Sequence, residues 1–190
     1  SAVGGTAPAR AQIVAVSNVA PTLTVVGNQT INEGAELSIV DIATFTDPGF
    51  GASETFTYSI NWGDGSADDT GTATIDTIGS TGILTAGSFD GSHVYADNGI
   101  HTVTVTLVDD NGGTATRSFQ VTVENVSPAA NDLNDRTVYS GTAISLPPLA
   151  FKDGGTLDTH PAVIIDWGDG SAAEIGVVVE SPFGPPGNIA

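Results

Sequence analysis

The chain has 190 residues, no cysteine, and 22 acidic against 4 basic residues, so its formal net charge is -18. This balance argues against nucleic acid and anionic membranes as partners, because both are bound by basic surfaces. The lack of cysteine excludes disulfides and thiol chemistry, and no run of about 18 apolar residues offers a membrane-inserting segment. So acidic a surface repels copies of itself unless cations screen or bridge it, which makes divalent metal a candidate partner.

Four short segments recur in the same order in the two halves of the chain. The offsets between matched segments are 108, 107, 106 and 105 residues, a period that suits a small β-sandwich of about 100 residues. The matched pairs are 4–7 with 112–115, 18–21 with 125–128, 45–49 with 151–155, and 60–66 with 165–171. The chain is therefore predicted to consist of tandem repeats.

The repeat register divides the chain into three parts. Residues 1–20 are predicted to be the last strand of a preceding repeat, 21–127 a complete repeat, and 128–190 the first half of a following one. The linkers Asn18–Pro21 and Asn125–Pro128 are short and end in proline, which fixes φ, so consecutive repeats are expected to sit end to end with little swing. We expect the true N-terminus and any export signal to lie outside this sequence.

The complete repeat is predicted to form about seven strands. Apolar and polar residues alternate in 56–62 and 102–107, which is the period of a strand with one buried face. Glycine-rich turns follow at Gly63–Gly65 and at Asp109–Gly113. In chain order the predicted strands are 22–26, 35–40, 56–62, 71–76, 81–85, 102–107 and 119–123. Short strands with regular turns indicate an all-β, antiparallel sandwich.

Three motifs in the complete repeat carry a family resemblance. Trp62-Gly63-Asp64-Gly65, then Gly91-Ser92-His93-Val94-Tyr95, then the hairpin Val103–Gly113 follow in an order and spacing that resemble the PKD repeat, named for polycystic-kidney-disease protein. The resemblance implies tandem immunoglobulin-like sandwiches in an extracellular setting, commonly as arrays in bacterial and archaeal surface proteins or as accessory modules of secreted hydrolases. The second repeat departs at Lys152 and Gly154, which could alter any site built around Asp153.

Loop carboxylates are the candidate metal ligands. Calcium takes several oxygen ligands from carboxylates and main-chain carbonyls, and Asp47, Asp109, Asp110 and Glu33 lie in loops that could converge at one end of the sandwich. The resemblance implies the same, since some PKD repeats bind calcium through the matching loop aspartates. The alternative is that these residues only stabilise turns by accepting hydrogen bonds from the backbone.

The remaining conspicuous side chains are predicted to have structural roles. Each tryptophan ends a strand and is expected in the core rather than on a ligand, and each aspartate between two glycines is expected to stabilise its turn rather than to catalyse. His93 and Tyr95 are expected to pack and hydrogen-bond together at the start of a strand. The tryptophans are Trp62 and Trp167, and the aspartates are Asp64 and Asp169.

No catalytic motif occurs, so the sequence favours a non-enzymatic function. The leading hypothesis is a structural or adhesive repeat at the cell surface, a rigid spacer in a large surface or filament protein with calcium at its junctions. Its partners are then neighbouring repeats of the same chain and other copies in a filament or surface layer. The alternative is an accessory module of a secreted hydrolase, and a further possibility is that strand 10–17 completes the sheet of a neighbouring copy.

Overall fold

A computed structural model describes residues 13–51, 53–160 and 162–179, and the regular structure in these ranges is entirely β-strand. None of the described residues lies in a helix long and apolar enough to span a bilayer. The strands are β1 Thr22–Val25, β2 Gln29–Asn32, β3 Glu36–Asp47, β4 Phe56–Asn61, β5 Asp69–Thr72, β6 Thr74–Thr77, β7 Thr85–Val94, β8 Gly99–Asp109, β9 Thr114–Glu124, β10 Ala129–Ala130, β11 Phe151–Lys152, β12 Val163–Ile165 and β13 Glu174–Gly176.

The first nine strands form two sheets that pack face to face. One sheet has the order β1-β3-β7-β6, and the other has the order β2-β9-β8-β4-β5. Neighbouring strands are antiparallel except for β2, which lies parallel to β9. The strands of this sandwich run from Thr22 to Glu124 and confirm the all-β, immunoglobulin-like fold class expected from the sequence.

The alternating strands supply the core between the two sheets. Val103, Val105 and Leu107 on β8 are fully buried, while the threonines between them face outward, as a period of two requires. Phe56 and Ile60 on β4 meet them from the adjacent strand. Each such side chain contributes roughly 1.5–3 kcal/mol on burial, so the apolar interior accounts for most of the stability of a fold without disulfides.

Five of the predicted strands overlap β1, β3, β4, β8 and β9, although β3, β8 and β9 are longer than predicted, and the other two need correction. The predicted strand 71–76 is two strands in different sheets, because the chain crosses between the sheets at buried Ala73. Most of the predicted strand 81–85 is a turn closed by mutual backbone hydrogen bonds between Ser80 and Ile83, and β7 begins only at Thr85. Strand β2 was not predicted.

The segment after the sandwich, residues 128–179, forms two small two-stranded sheets, β10-β11 and β12-β13. Trp167 in this segment is 36% exposed, whereas its counterpart Trp62 is 1% exposed. The predicted core position therefore does not hold for Trp167, because nothing in the described part of this segment corresponds to the strands β7 and β8 that cover Trp62. Residues 13–20 form no strand, and 1–12 of the predicted preceding strand lie outside the described residues.

Candidate metal sites at the two ends of the sandwich

The candidate ligands lie at opposite ends of the sandwich. Strand β9 begins after the Asp109–Gly113 hairpin and runs 11 residues to Glu124, a length of roughly 35 Å. Asp47 lies beside the hairpin, at what we term the hairpin end. The backbone N–H of Glu33 donates to the carbonyl of Glu124 over 3.0 Å, which places Glu33 at the other end, the linker end. The expected convergence of Glu33 with Asp47 and Asp109 therefore does not occur.

At the hairpin end, Asp109 is almost saturated with hydrogen bonds. Its carboxylate accepts from the backbone N–H groups of Asn111 at 2.9 Å and Gly113 at 2.7 Å. The side-chain amide of Asn18, in the preceding linker, donates to both of its oxygens at 3.1 and 2.8 Å. Asp109 thus has the turn-stabilising role that was the alternative to metal binding, and it also ties the linker to the hairpin.

Asp47 has a different environment. It is 1% exposed, its Oδ1 accepts from the backbone N–H of Gly49 at 2.6 Å, and its Oδ2 has no hydrogen-bond partner among the described residues. Burial raises the pKa of Asp47, and the negative charges of Asp109 and Asp110 raise it further, against the lowering effect of the Gly49 N–H. A buried, unpaired carboxylate oxygen beside other carboxylates is a position that favours a cation.

Glu54 was not predicted as a candidate ligand, but it lies near Asp47, Asp109 and Asp110 at the hairpin end. Burial raises its pKa, followed by the nearby charges of Asp110 and Asp47. Its carboxylate and that of Asp47 both approach Gly49, where an added Cβ would be 2.9 Å from the Glu54 oxygen and 2.7 Å from the Asp47 oxygen. The sequence feature that could have identified Glu54 is its position in the loop that directly follows Asp47, the last residue of β3.

At the linker end, Glu33 meets two carboxylates of the following segment. Ligand oxygens of Glu33, Asp153 and Asp158 all lie within 4.8 Å of one another, and no other such group of three or more acidic, histidine or cysteine residues occurs in the described ranges. Asp153 is the repeat counterpart of Asp47 and is 5% exposed, and its Oδ2 lies 2.7 Å from Nε2 of His160. Asp158 was not predicted, because nothing local to its sequence indicates which end of the sandwich it approaches.

We term the group Glu33, Asp153 and Asp158 the junction cluster, and Glu33 is its most buried member. It is 2% exposed, and its Oε1 accepts from the backbone N–H of Val126 at 2.6 Å, while Oε2 has no hydrogen-bond partner in the part of the chain described. Burial raises the pKa of Glu33, the Val126 N–H opposes this, and the charges of Asp158, Asp153 and Asp97 raise it again. The pKa of Asp158 is raised by burial and then by Asp153 and Asp97.

The two parts of the chain also touch through their backbones beside the junction cluster. Gly34 has φ of 70° and faces the carbonyl of Gly154 so closely that neither position has room for a Cβ. The backbone N–H of Leu157 donates to the carbonyl of Ala96 over 3.3 Å. The departure noted in the second repeat, Gly154 in place of Pro48, therefore lies at the point of closest approach.

The tryptophan-turn motif is a hydrogen-bonded structural unit. Trp62 donates from Nε1 to Asp69 at 2.7 Å, and the Tyr95 hydroxyl donates to the Trp62 carbonyl at 3.1 Å. His93 stacks on Trp62 with ring centroids 4.9 Å apart and lies 2.7 Å from Oδ2 of Asp64. His93 lies near the end of β7, not at the start of a strand as predicted, because the strand begins eight residues earlier.

The two turn aspartates accept backbone hydrogen bonds inside their own turns. Ser66 N–H donates to Asp64 at 3.0 Å, and Ser171 N–H donates to Asp169 at 2.9 Å. Burial acts to raise the pKa of Asp64, but hydrogen bonds from Ser66 and His93 outweigh it and lower the pKa to about 2. Asp169 makes the Ser171 bonds without a histidine, and its pKa is also lowered.

Because the pKa of Asp64 is lowered by folding, its contribution to stability is present above the ordinary value of 3.8 and is lost as the pH falls towards 2. Asp64→Asn is expected to destabilise the sandwich by about 1–2 kcal/mol at pH 7 and by much less at pH 2. Urea unfolding at the two pH values measures this, with Asp169→Asn as the matched control. Equal destabilisation at both pH values would contradict the assignment.

Known proteins similar to this chain are found among the solved structures. No protein-family model and no curated protein matches the chain. Among solved structures, the chain is similar to the PKD domain of an M14-like peptidase from Thermoplasmatales archaeon SCGC AB-540-F20, at 25% identity and a TM-score of 0.37, over 56% of this chain and 98% of that one. It is also similar to the BIgI domain of the beta protein from S. agalactiae bound to CEACAM1, at 20% identity and a TM-score of 0.30, over 55% and 96%. The first is a member of the family that the sequence motifs resemble.

Proposed function

We propose that the chain is a non-catalytic structural or adhesive part of a large extracellular or cell-surface protein, and that it acts as a rigid spacer stiffened by calcium. The observation that carries this proposal is the junction after the sandwich. There the following segment contacts the sandwich through the backbones of Gly34 and Gly154 and through the Leu157–Ala96 hydrogen bond, in addition to the short linker. Direct contact of this kind restrains the angle between neighbours further than the short, proline-ended linker does.

The distribution of negative charge on the chain is the reason for including calcium in the proposal. The net charge of -18 is concentrated in part at the two ends of the sandwich, where neighbouring repeats of the same chain, or other copies in a filament or surface layer, would approach. At the hairpin end, Asp47 and its neighbours Glu54 and Asp110 would hold the ion, since Asp47 offers a buried oxygen that no described residue engages. Asp109 contributes less, because its oxygens are already used.

The accessory-module alternative requires aromatic side chains exposed on one sheet face. On the described strands of the sandwich, the phenylalanines are buried, and Tyr58 stacks against Phe89 with ring centroids 4.1 Å apart. The exposed Phe50 lies in a loop and Tyr139 in the following segment, so they do not form a shared face with the sheets. No feature of the described residues favours this alternative over the spacer.

The spacer proposal predicts a fixed distance between the sandwich and the following segment in calcium. The chain has no native cysteine, so Ser118→Cys and Ala173→Cys, both at exposed positions, allow a spin label to be attached on each side of the junction. Pulsed electron paramagnetic resonance on the full chain is expected to give a narrow distance distribution in calcium and a broader one in chelator.

The outcomes of this measurement separate the two parts of the proposal. A broad distribution in both conditions would contradict the rigid spacer. A distribution that is equally narrow in both conditions would leave the spacer intact and remove calcium from its mechanism. A doubly labelled pair within the sandwich, Ser118→Cys with Thr72→Cys, is the control, and it should be narrow throughout because both positions lie in one sheet.

A further inference from the structure

The junction cluster draws its carboxylates from two separate parts of the chain. Glu33 follows β2 of the sandwich, whereas Asp153 follows β11 and Asp158 lies five residues further along in the next segment. Their ligand oxygens approach within 4.8 Å although each group carries a negative charge when ionised. Some favourable interaction must offset this repulsion if the two parts are to stay together.

The hydrogen bonds of the described residues leave one oxygen of Glu33 without a partner inside this group of carboxylates. Glu33 is 98% buried, since it is 2% exposed, and one of its two oxygens receives the Val126 N–H while Oε2 receives nothing from the described residues. Leaving a buried acceptor unsatisfied lowers stability, and does so more strongly for a charged group. Such an oxygen, directed into a group of carboxylates, has the environment of a metal ligand.

Among the described residues, a basic side chain pairs with the cluster at Asp153 alone, where His160 Nε2 lies 2.7 Å from Oδ2. The ion pairs of the described residues are His93 with Asp64 and His160 with Asp153, and neither involves Glu33 or Asp158. The described lysine and arginines form no ion pair with the cluster. Asp97 adds a further negative charge close to Asp158.

We propose that Glu33, Asp153 and Asp158 bind one divalent cation that is shared between the sandwich and the following segment. The proposal deepens the proposed spacer function, on which it rests, by naming a metal site that is complete only when the two parts are docked. Calcium is the expected ion, because it takes 6–8 oxygen ligands at about 2.3–2.6 Å in irregular geometry and accepts carboxylates from separate loops. Two oxygens at about 2.4 Å from one ion can be up to about 4.8 Å apart, which agrees with the observed spacing.

Calorimetric titration of the full chain with calcium chloride tests the site. We use the Asp47→Asn background throughout, so that the hairpin end does not contribute heat. In this background the chain is expected to bind calcium, and adding Glu33→Gln is expected to weaken binding at least tenfold. Glutamine retains an oxygen for the Val126 N–H, so the backbone at Glu33 stays in place. Asp158→Asn, at a less buried position, is the second variant and should show the same loss.

The results distinguish this proposal from the spacer function. Unchanged calcium affinity in both variants, or no binding by the Asp47→Asn chain at millimolar calcium, would overturn the shared site. If the distance distribution across the junction is narrow but the chain binds no calcium, the spacer function stands and the shared metal site is rejected. Binding that is lost in Glu33→Gln, together with a broad distance distribution in calcium, would retain the site and reject the spacer.

Discussion

Trp62→Ala is expected to reduce the unfolding free energy of the sandwich by about 3–5 kcal/mol, the cost of removing a large aromatic from a packed core. Trp62 is 1% exposed, and its ring lies against His93 while its Nε1–H is bonded to Asp69. The substitution leaves a cavity between the sheets and an unpaired Asp69 carboxylate. Because whole domains are stable by only about 5–15 kcal/mol, this loss should be plain in urea unfolding followed by circular dichroism.

Trp167→Ala is the matched control, because the chain repeats the same Trp-Gly-Asp-Gly-Ser turn in a different environment. Trp167 is 36% exposed, so its removal vacates little packed space and should shift the sandwich transition by less than about 1 kcal/mol. Similar destabilisation by the two substitutions would contradict the assignment of Trp62, and not Trp167, to the core of the sandwich.

The strands that could be predicted from the sequence are those with one face in the core. Val103, Val105 and Leu107 alternate with threonines, and the structure buries the apolar residues and exposes the others to different degrees. Burial on one face imposes this period of two on the sequence, so the pattern remains readable without the fold. The repeat limits 21–127, which were taken from the register of the matched segments, stay a prediction.

Strand β2 could not be predicted, because it is extended only through its pairing with β9, which is distant in the sequence. Gln29–Asn32 has a single apolar side chain and no alternating pattern long enough to read. It is a strand because it pairs in parallel with β9, Gln29 opposite Val121 and Asn32 opposite Glu124. The crossing at Ala73 was missed for a related reason, since the alternation of Thr72, Ala73, Thr74 and Ile75 continues through it and gives no sign of a change of sheet.

Some candidate metal ligands could be identified from the sequence around them, whereas the position of others depends on strands far away in the chain. Asp47 could be selected from its loop, and Asp153 could be inferred as its repeat counterpart. The position of Glu33 could not, because it depends on β2 ending beside β9 and on the linker carrying Val126 to its carboxylate. Sequence reasoning therefore found acidic residues of the right kind but placed Glu33 at the wrong end of the sandwich.

The contact between Gly34 and Gly154 makes the docking of the two parts sensitive to a single side chain. Gly34 has a positive φ, so a substitution there would strain the sandwich itself as well as the junction. Gly154 has no such φ, and an added Cβ would lie 2.9 Å from the Glu33 carbonyl oxygen and 3.3 Å from Val126 Cβ. Gly154 is thus the position at which the junction can be perturbed while the sandwich core remains untouched.

Gly154→Val is expected to separate the following segment from the sandwich and to broaden the distance distribution between labels at Ser118→Cys and Ala173→Cys, even in calcium. The branched side chain cannot fit against the Glu33 carbonyl, and moving it away also draws Asp153 from Glu33. Urea unfolding of the sandwich should change by less than about 0.5 kcal/mol, because no core residue is altered. Gly27→Val, with no atom within 4 Å of its added Cβ, is the control and should leave the distribution narrow. If Gly154→Val is as narrow as the unsubstituted chain, the backbone contact does not fix the junction, and the rigidity of the spacer must come from the proline-ended linker alone.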